Sequence, residues 1–180
     1  MGLLDNIMGA KGDSSVTYGK AGRHVLKLNR IRLRDPSDPS TTGGSLDAKP
    51  GFRFDGELLC SNRSDHAKGD VLTFNDPFKF VSSALARARR MIVAAKSSKT
   101  GEDVSESTLG LVQEKGESDE AFGLRIKAEL KSILSDQQPL RGAIITVVAT
   151  EGKNQNTGTP YTLFEVHVPT EDDLKNAGII

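Results

Sequence analysis

From His24 to Arg34, apolar and polar residues alternate, with Leu26 and Leu28 on one side of the chain. Ile31 and Leu33 then share a side, one residue out of phase with the first pair. Alternation of period two predicts a strand, and the slip predicts a β-bulge where it bends. Phe52 to Cys60 is a second strand, with Phe52, Phe54, Leu58 and Cys60 on one face and Arg53, Asp55 and Glu57 on the other. Asp70 to Phe74 is a short third strand. Leu140 to Thr150 is apolar on both faces, the pattern of a central strand covered on both sides. Thr159 to Val168 is the last, with Phe164, Val166 and Val168 facing one way and Tyr161, Glu165 and His167 the other.

The period changes to that of a helix after Asp76-Pro77. There Asp76 is the expected N-cap and Pro77 lies in the first turn of a helix running to about Ala95. Ala84, Leu85, Ala88 and Ile92, led by Phe80 or Val81, form its apolar stripe. Residues 97–117 are rich in Ser, Glu and Gly and read as mobile. A second helix starts at Ser118, buries Phe122, Ile126, Leu130 and Ile133, and ends by Pro139. Residues 9–20 and 35–45 are polar and flexible in composition, and Glu151 to Gly158 is the loop of a terminal hairpin.

Three strands, helical material and two strands is the order of an OB-fold, so the expected class is α+β: a five-stranded OB-fold Greek-key barrel with a helical insertion between strands three and four. The expected division is an N-terminal arm over 1–19, the barrel domain over 20–169 with its insert at about 76–138, and an acidic tail over 170–180.

Composition narrows the function. The chain has 180 residues, 24 Lys and Arg against 24 Asp and Glu, and one cysteine. One cysteine excludes an internal disulfide framework and a multi-cysteine zinc site, and no apolar run approaches the ~18 residues a membrane helix needs. The start lacks the cationic and long apolar regions of a secretory signal, so a cytoplasmic location is expected, the host cytoplasm if the source is a virus. The zero net charge hides segregation. Residues 20–34 hold six Lys or Arg and no acid, residues 85–99 hold five and no acid, and residues 100–138 hold nine acids against four bases. A basic groove with acidic flanks fits that pattern.

The residues also carry a resemblance. The basic first strand, Phe52-Arg-Phe-Asp-Gly-Glu-Leu, Lys68-Gly-Asp before strand three, a helix after Phe74, and Leu140-Arg-Gly leading to a strand that begins Thr159-Pro-Tyr-Thr-Leu-Phe resemble phage-encoded OB-fold single-stranded DNA-binding proteins over residues 20–169. The resemblance implies sequence-independent coating and protection of single strands in replication and recombination, with no cofactor. It also implies that the acidic tail recruits replication proteins. A homo-oligomer stays open.

Arg30, Arg32 and Arg34 alternate on one strand face, about 6.6 Å apart, close to the phosphate repeat of a single strand. Lys27 near the bulge and Arg53 on strand two extend the track. Tyr161 points away from the apolar side of its strand and can stack on a base, Phe74 at a strand end is a second stacking candidate, and Lys153 sits in the hairpin loop. Arg87 and Arg90, three apart on a helix, extend the groove or pair with the acidic insert.

Against an enzyme, His24, His66 and His167 have no metal-ligand spacing to one another or to Cys60, and Cys60 continues an apolar register that buries it. Gly19-Lys20 and Gly152-Lys153 lack the spacing of a phosphate-binding loop, and no set of acid, base and nucleophile assembles. The rival reading is a non-enzymatic interaction or assembly module on the same barrel, such as a phage structural or accessory protein.

Overall fold

The computed structural model of the chain describes residues 17–34, 51–77, 81–118, 120–122, 124–126, 128 and 137–180. Its elements are β1 (Thr17–Tyr18), β2 (Gly22–Arg34), β3 (Gly51–Ser61), β4 (Val71–Pro77), α1 (Val81–Thr100), β5 (Ile144–Lys153), β6 (Pro160–His167) and α2 (Glu171–Ala177). They build one six-stranded sheet in the order β1-β4-β3-β2-β5-β6, antiparallel except for the parallel β1–β4 pair.

The closed five-stranded OB barrel is not what forms. The sheet curls through 187° as an open half-barrel whose edges stand 9 Å apart. Two features keep it open. The outer edge of β4 is taken by β1, with Thr17 opposite Leu72 and Tyr18 opposite Thr73, and the Gly19 amide donates to the Thr73 carbonyl at 2.9 Å. Gly19 is glycine for a steric reason: a Cβ there would lie 2.1 Å from the Phe74 ring. On the concave side α1 packs Ala88, Met91, Ile92 and Ala95 into the core, so a helix covers apolar surface that barrel closure would otherwise bury.

The expected bulge is present. Register shifts between Leu28 and Arg30, so Asn29 is the extra residue, and a second shift between Val25 and Leu26 leaves Leu59 extra on β3. Together they put Leu26, Leu28 and Ile31 on the concave face, each at most 1% exposed. Burying each such side chain stabilises by about 1.5–3 kcal/mol. Phe54 of β3, Phe74 of β4 and Phe164 of β6 meet at the centre. Phe54 stacks on Phe74 at 5.2 Å, and both meet Phe164 edge-on at 5.5 and 5.6 Å. The trio bridges strands far apart in the sheet order, in geometries that favour aromatic pairs.

Other expectations need correction. Asp76 and Pro77 do not open a helix. They continue β4 opposite Phe52 and Gly51, with Pro77 at the last strand position, where its missing N–H is tolerated. Helix α1 starts later and runs to Thr100. Within the stretch 97–117 that reads as mobile, residues 97–100 belong to α1 and the following residues make specific contacts with the rest of the chain. Val104 is bonded through its amide and carbonyl to the Ser97 hydroxyl, at 3.1 and 3.5 Å, and Leu111 is fully buried. Arg89 donates to the Leu111 carbonyl at 3.0 Å and Arg125 to the carbonyls of Gly110 and Val112. Both guanidiniums lie over the Phe122 ring. The second helix is present at residues 120–122, 124–126 and 128, with Ile126 buried, while Leu130 and Ile133 lie outside the described residues. The last part of the expected flexible lead-in is β1, and residues 1–16 and 35–50 lie outside the described residues.

The acidic tail is also ordered, because Thr170 and Asp173 form a reciprocal capping box and Gly178 ends the helix in the left-handed region at φ 72°. No helix among the described residues is long and apolar enough to cross a membrane.

Candidate nucleic-acid interface

The alternation that buries Leu26, Leu28 and Ile31 turns Lys27, Arg30 and Arg32 to the convex face of the sheet. There Lys27 lies opposite Glu57, Arg30 opposite Asp55, and Arg32 opposite Arg53. The backbone places Arg34 one step further, opposite Gly51, and its side chain lies outside the described residues. Lys27, Arg30, Arg32 and Arg53 are therefore brought onto one surface of two adjacent strands.

Asp55 organises that surface. Its carboxylate accepts from Arg32 at 2.6 Å, from the Thr73 hydroxyl at 2.7 Å and from Arg53 at 3.4 Å, and it is only 8% exposed. Burial pushes its pKa up, but the Thr73 and Arg32 hydrogen bonds and the Arg53 charge outweigh it and hold the carboxyl below its ordinary value. Asp55 stays ionised and fixes two guanidiniums across the strand pair. Lys27 and Arg30 are exposed and have no partner among the described residues. The ladder beneath is completed by Gln138, whose amide accepts from the Ile31 N–H at 2.7 Å and donates to the Ile31 carbonyl at 3.0 Å. This side chain takes the place of a strand where β5 has ended.

The other candidates lie elsewhere. Phe74 is 2% exposed within the aromatic trio and has no face left for a base; as a stacking residue it is corrected to core. Tyr161 is 46% exposed on the convex face of β6, opposite Gly152, and Lys153 is exposed at the end of β5 opposite Pro160. Along β5, Gly152 lies eight residues from Ile144, the partner of Lys27. That separation is about 26 Å at a strand's rise.

Between the two regions lies α2. Arg23 donates to Asp173 from Nε at 2.8 Å and from Nη2 at 2.7 Å, and the Thr146 hydroxyl donates to the same carboxylate at 2.9 Å. Lys68 donates to the Ala177 carbonyl at the far end of the helix. The expected tail is thus a strut across the convex face. Sequence reasoning missed Arg23, Asp55 and Asp173 as organising residues. For Asp55 a signal was available, since it is the acid flanked by Arg53 on the polar face of its strand. For Arg23 and Asp173, 150 residues apart, there was none.

The histidines are closer than their spacing suggests. His24 and His66 are both buried, with ring centroids 5.5 Å apart. No group of three or more His, Cys, Asp or Glu with metal-binding geometry occurs among the described residues. Cys60 is half-buried, not fully buried as its register predicts. The chain matches no protein-family model and no curated protein.

Proposed function

We propose that the chain binds single-stranded DNA without sequence preference, on the convex face of β2 and β3, and coats and protects it as the phage-encoded proteins it resembles do. The reading is supported above all by one observation: Lys27, Arg30, Arg32 and Arg53 share that face, two of them unpartnered among the described residues and two held in place by Asp55. Neighbouring cations along a strand are about 6.6 Å apart, so successive phosphates of an extended strand can each meet one. Asp55 reduces the net positive charge but fixes the geometry, which lowers the entropy lost when Arg32 and Arg53 engage a phosphate.

Fluorescence anisotropy with labelled single-stranded DNA, beside duplex DNA and single-stranded RNA, at several salt concentrations, tests this. The expected result is salt-sensitive binding to single strands with weak binding to duplex. The double variant Lys27→Ala/Arg30→Ala is expected to weaken binding and to flatten the log–log salt slope by about 1.4, or 0.7 for each lost phosphate contact. Unchanged affinity and slope in that variant overturns the assignment of the face. Absence of binding at low salt, with concentration-dependent assembly in light scattering, favours an assembly module instead.

A further inference from the structure

The edge of β6 carries a different combination of groups. Arg87 and Arg90 of α1, on the concave side, reach this edge strand and, with Phe164 and the convex-face residues Val148, Thr150, Leu163 and Glu165, line an open groove of about 390 Å³. That volume falls within the roughly 300–1,000 Å³ of small-ligand clefts. By register, Val148 lies opposite Glu165 and Thr150 opposite Leu163, so these four form two adjacent rows on one face. Tyr161 is the next residue on that face after Leu163, and its ring lies over Gly152, where an added Cβ would approach it to 2.7 Å. Leu163 and Tyr161 are 44% and 46% exposed, whereas Phe164 and Val166 on the opposite side of the same strand are 5% and 7% exposed.

We infer that this groove is a separate ligand site that takes one nucleotide unit, with its phosphate on Arg87 and Arg90 and its base against Leu163 and Tyr161. Guanidiniums one helical turn apart can hold a phosphate from two sides, and Arg90 is exposed with no partner among the described residues. A nucleobase has flat apolar faces and a polar edge. The faces suit a leucine and a tyrosine ring, and the edge brings an amine or ring N–H to the Glu165 carboxylate and the Thr150 hydroxyl. A purely apolar ligand would cover Glu165 and Thr150 without satisfying them, and inorganic phosphate alone would leave Leu163 and Tyr161 in water.

The site is distinct from the β2–β3 face. Helix α2 lies between them, and its first turn presents exposed Glu171 and Asp172, which repel a phosphate backbone. The inference does not rest on the single-strand reading, because a free mononucleotide satisfies the same chemistry. The two possible sources are that free mononucleotide and one unit of a strand.

Amide NMR spectra of the full chain, titrated in parallel with dCMP, deoxycytidine, inorganic phosphate and a short oligo-dC, test the inference and separate the sources. Shifts at Val148, Thr150, Leu163 and Glu165 with dCMP are expected, at an affinity at least about tenfold above that of deoxycytidine or phosphate. If the shifts appear only with oligo-dC, the unit belongs to a strand. Arg87→Ala/Arg90→Ala is expected to lose about tenfold or more in affinity for dCMP. Should the arginine variant perturb α1, Leu163→Ser, at an exposed position, removes the apolar contact instead and is expected to weaken dCMP but not phosphate. Absence of groove shifts with both dCMP and oligo-dC, equal affinity for phosphate and dCMP, or shifts confined to Lys27 and Arg30 would each overturn it.

Discussion

Arg23 holds Asp173 through two hydrogen bonds of 2.8 and 2.7 Å, joining the first long strand to the last helix across 150 residues of chain. Asp173 also closes the α2 capping box through Thr170 and accepts from Thr146, so one carboxylate caps the start of a helix, satisfies a buried hydroxyl and pins the helix to the sheet. The Arg23 hydrogen bonds hold its pKa well below the ordinary carboxylate range, against the opposing effect of burial.

Asp173→Asn is therefore expected to destabilise the chain. Arg23 is 43% exposed and remains solvated when its partner is neutralised. The cost is then that of lost hydrogen bonds, about 1–3 kcal/mol, and not that of a stranded charge. The pH dependence has a definite sign. A depressed carboxyl contributes stability that is complete above its unfolded pKa of about 3.9 and is lost as pH falls further toward the folded value. Urea unfolding at pH 7 and pH 3 checks this: the gap between wild type and variant should narrow at the lower pH. An equal gap at both would remove the ionised carboxylate from the explanation.

Phe74 gives a prediction opposite to its sequence reading. Phe74→Ala should cost about 3–5 kcal/mol, as for other fully buried phenylalanines. Phe74→Leu should cost less and leave single-strand affinity unchanged at temperatures where it is folded. Chemical denaturation and anisotropy on the same samples check both. A folded Phe74→Leu with reduced affinity would show that the ring is used outside the core.

These cases show what was legible in the sequence and why. Strand β5 follows from its unbroken apolar run, and strands β2, β3 and β6 and the β2 bulge follow from alternation, because a one-residue slip moves every later side chain to the other face. The side on which Lys27, Arg30, Arg32 and Arg53 fall follows from the same rule. What alternation does not carry is closure. Whether β6 pairs with β4 depends on what else occupies the β4 edge, and two residues, Thr17 and Tyr18, are too few to give a periodic signal. Residues 97–117 looked mobile because their composition is polar. Their order comes from Arg89 and Arg125 reaching backbone carbonyls, long-range contacts that no local window records. Asp76-Pro77 is a strong helix-start signal that lost to continued pairing with β3.

Asp55 offers a variant in which stability and binding should move in opposite directions. Asp55→Asn weakens the contacts to Arg32 and Arg53 and leaves a neutral group among buried partners, at a cost of about 1–3 kcal/mol. It also removes the negative charge from the proposed DNA-binding face. At low salt, single-strand affinity should rise, and the salt slope should steepen, because a charge that repels phosphate has left the face. Thermal denaturation with salt-dependent anisotropy reads both. A fall in affinity with an unchanged slope would mean that Asp55 matters by orienting the arginines more than by neutralising them.

His24 makes stability depend on pH in the range where carboxylates do not. Its ring is fully buried, with Nε2 2.8 Å from the Lys20 carbonyl and Nδ1 2.9 Å from the Ser61 hydroxyl. A carbonyl only accepts, so Nε2 carries the proton and Nδ1 accepts from Ser61, whose oxygen in turn accepts from the Arg63 N–H at 3.0 Å. A second proton on Nδ1 would oppose the Ser61 hydroxyl hydrogen and bury a charge 5.5 Å from the His66 ring. Burial accordingly pushes the His24 pKa down, more than the Lys20 hydrogen bond raises it. The unfolded chain takes up a proton near pH 6.5 that the folded chain refuses. Stability is thus complete above about pH 6.5 and declines as pH falls from there toward the folded pKa, by at most about 1.4 kcal/mol per pH unit. Urea unfolding at pH 7.5, 6.5 and 5.5 should show that decline in the wild type and a shallower one in His24→Gln. Stability that stays flat or rises toward pH 5.5 in the wild type would mean that His24 accepts its second proton in the folded state, and that the Ser61 hydroxyl can turn to accept from it.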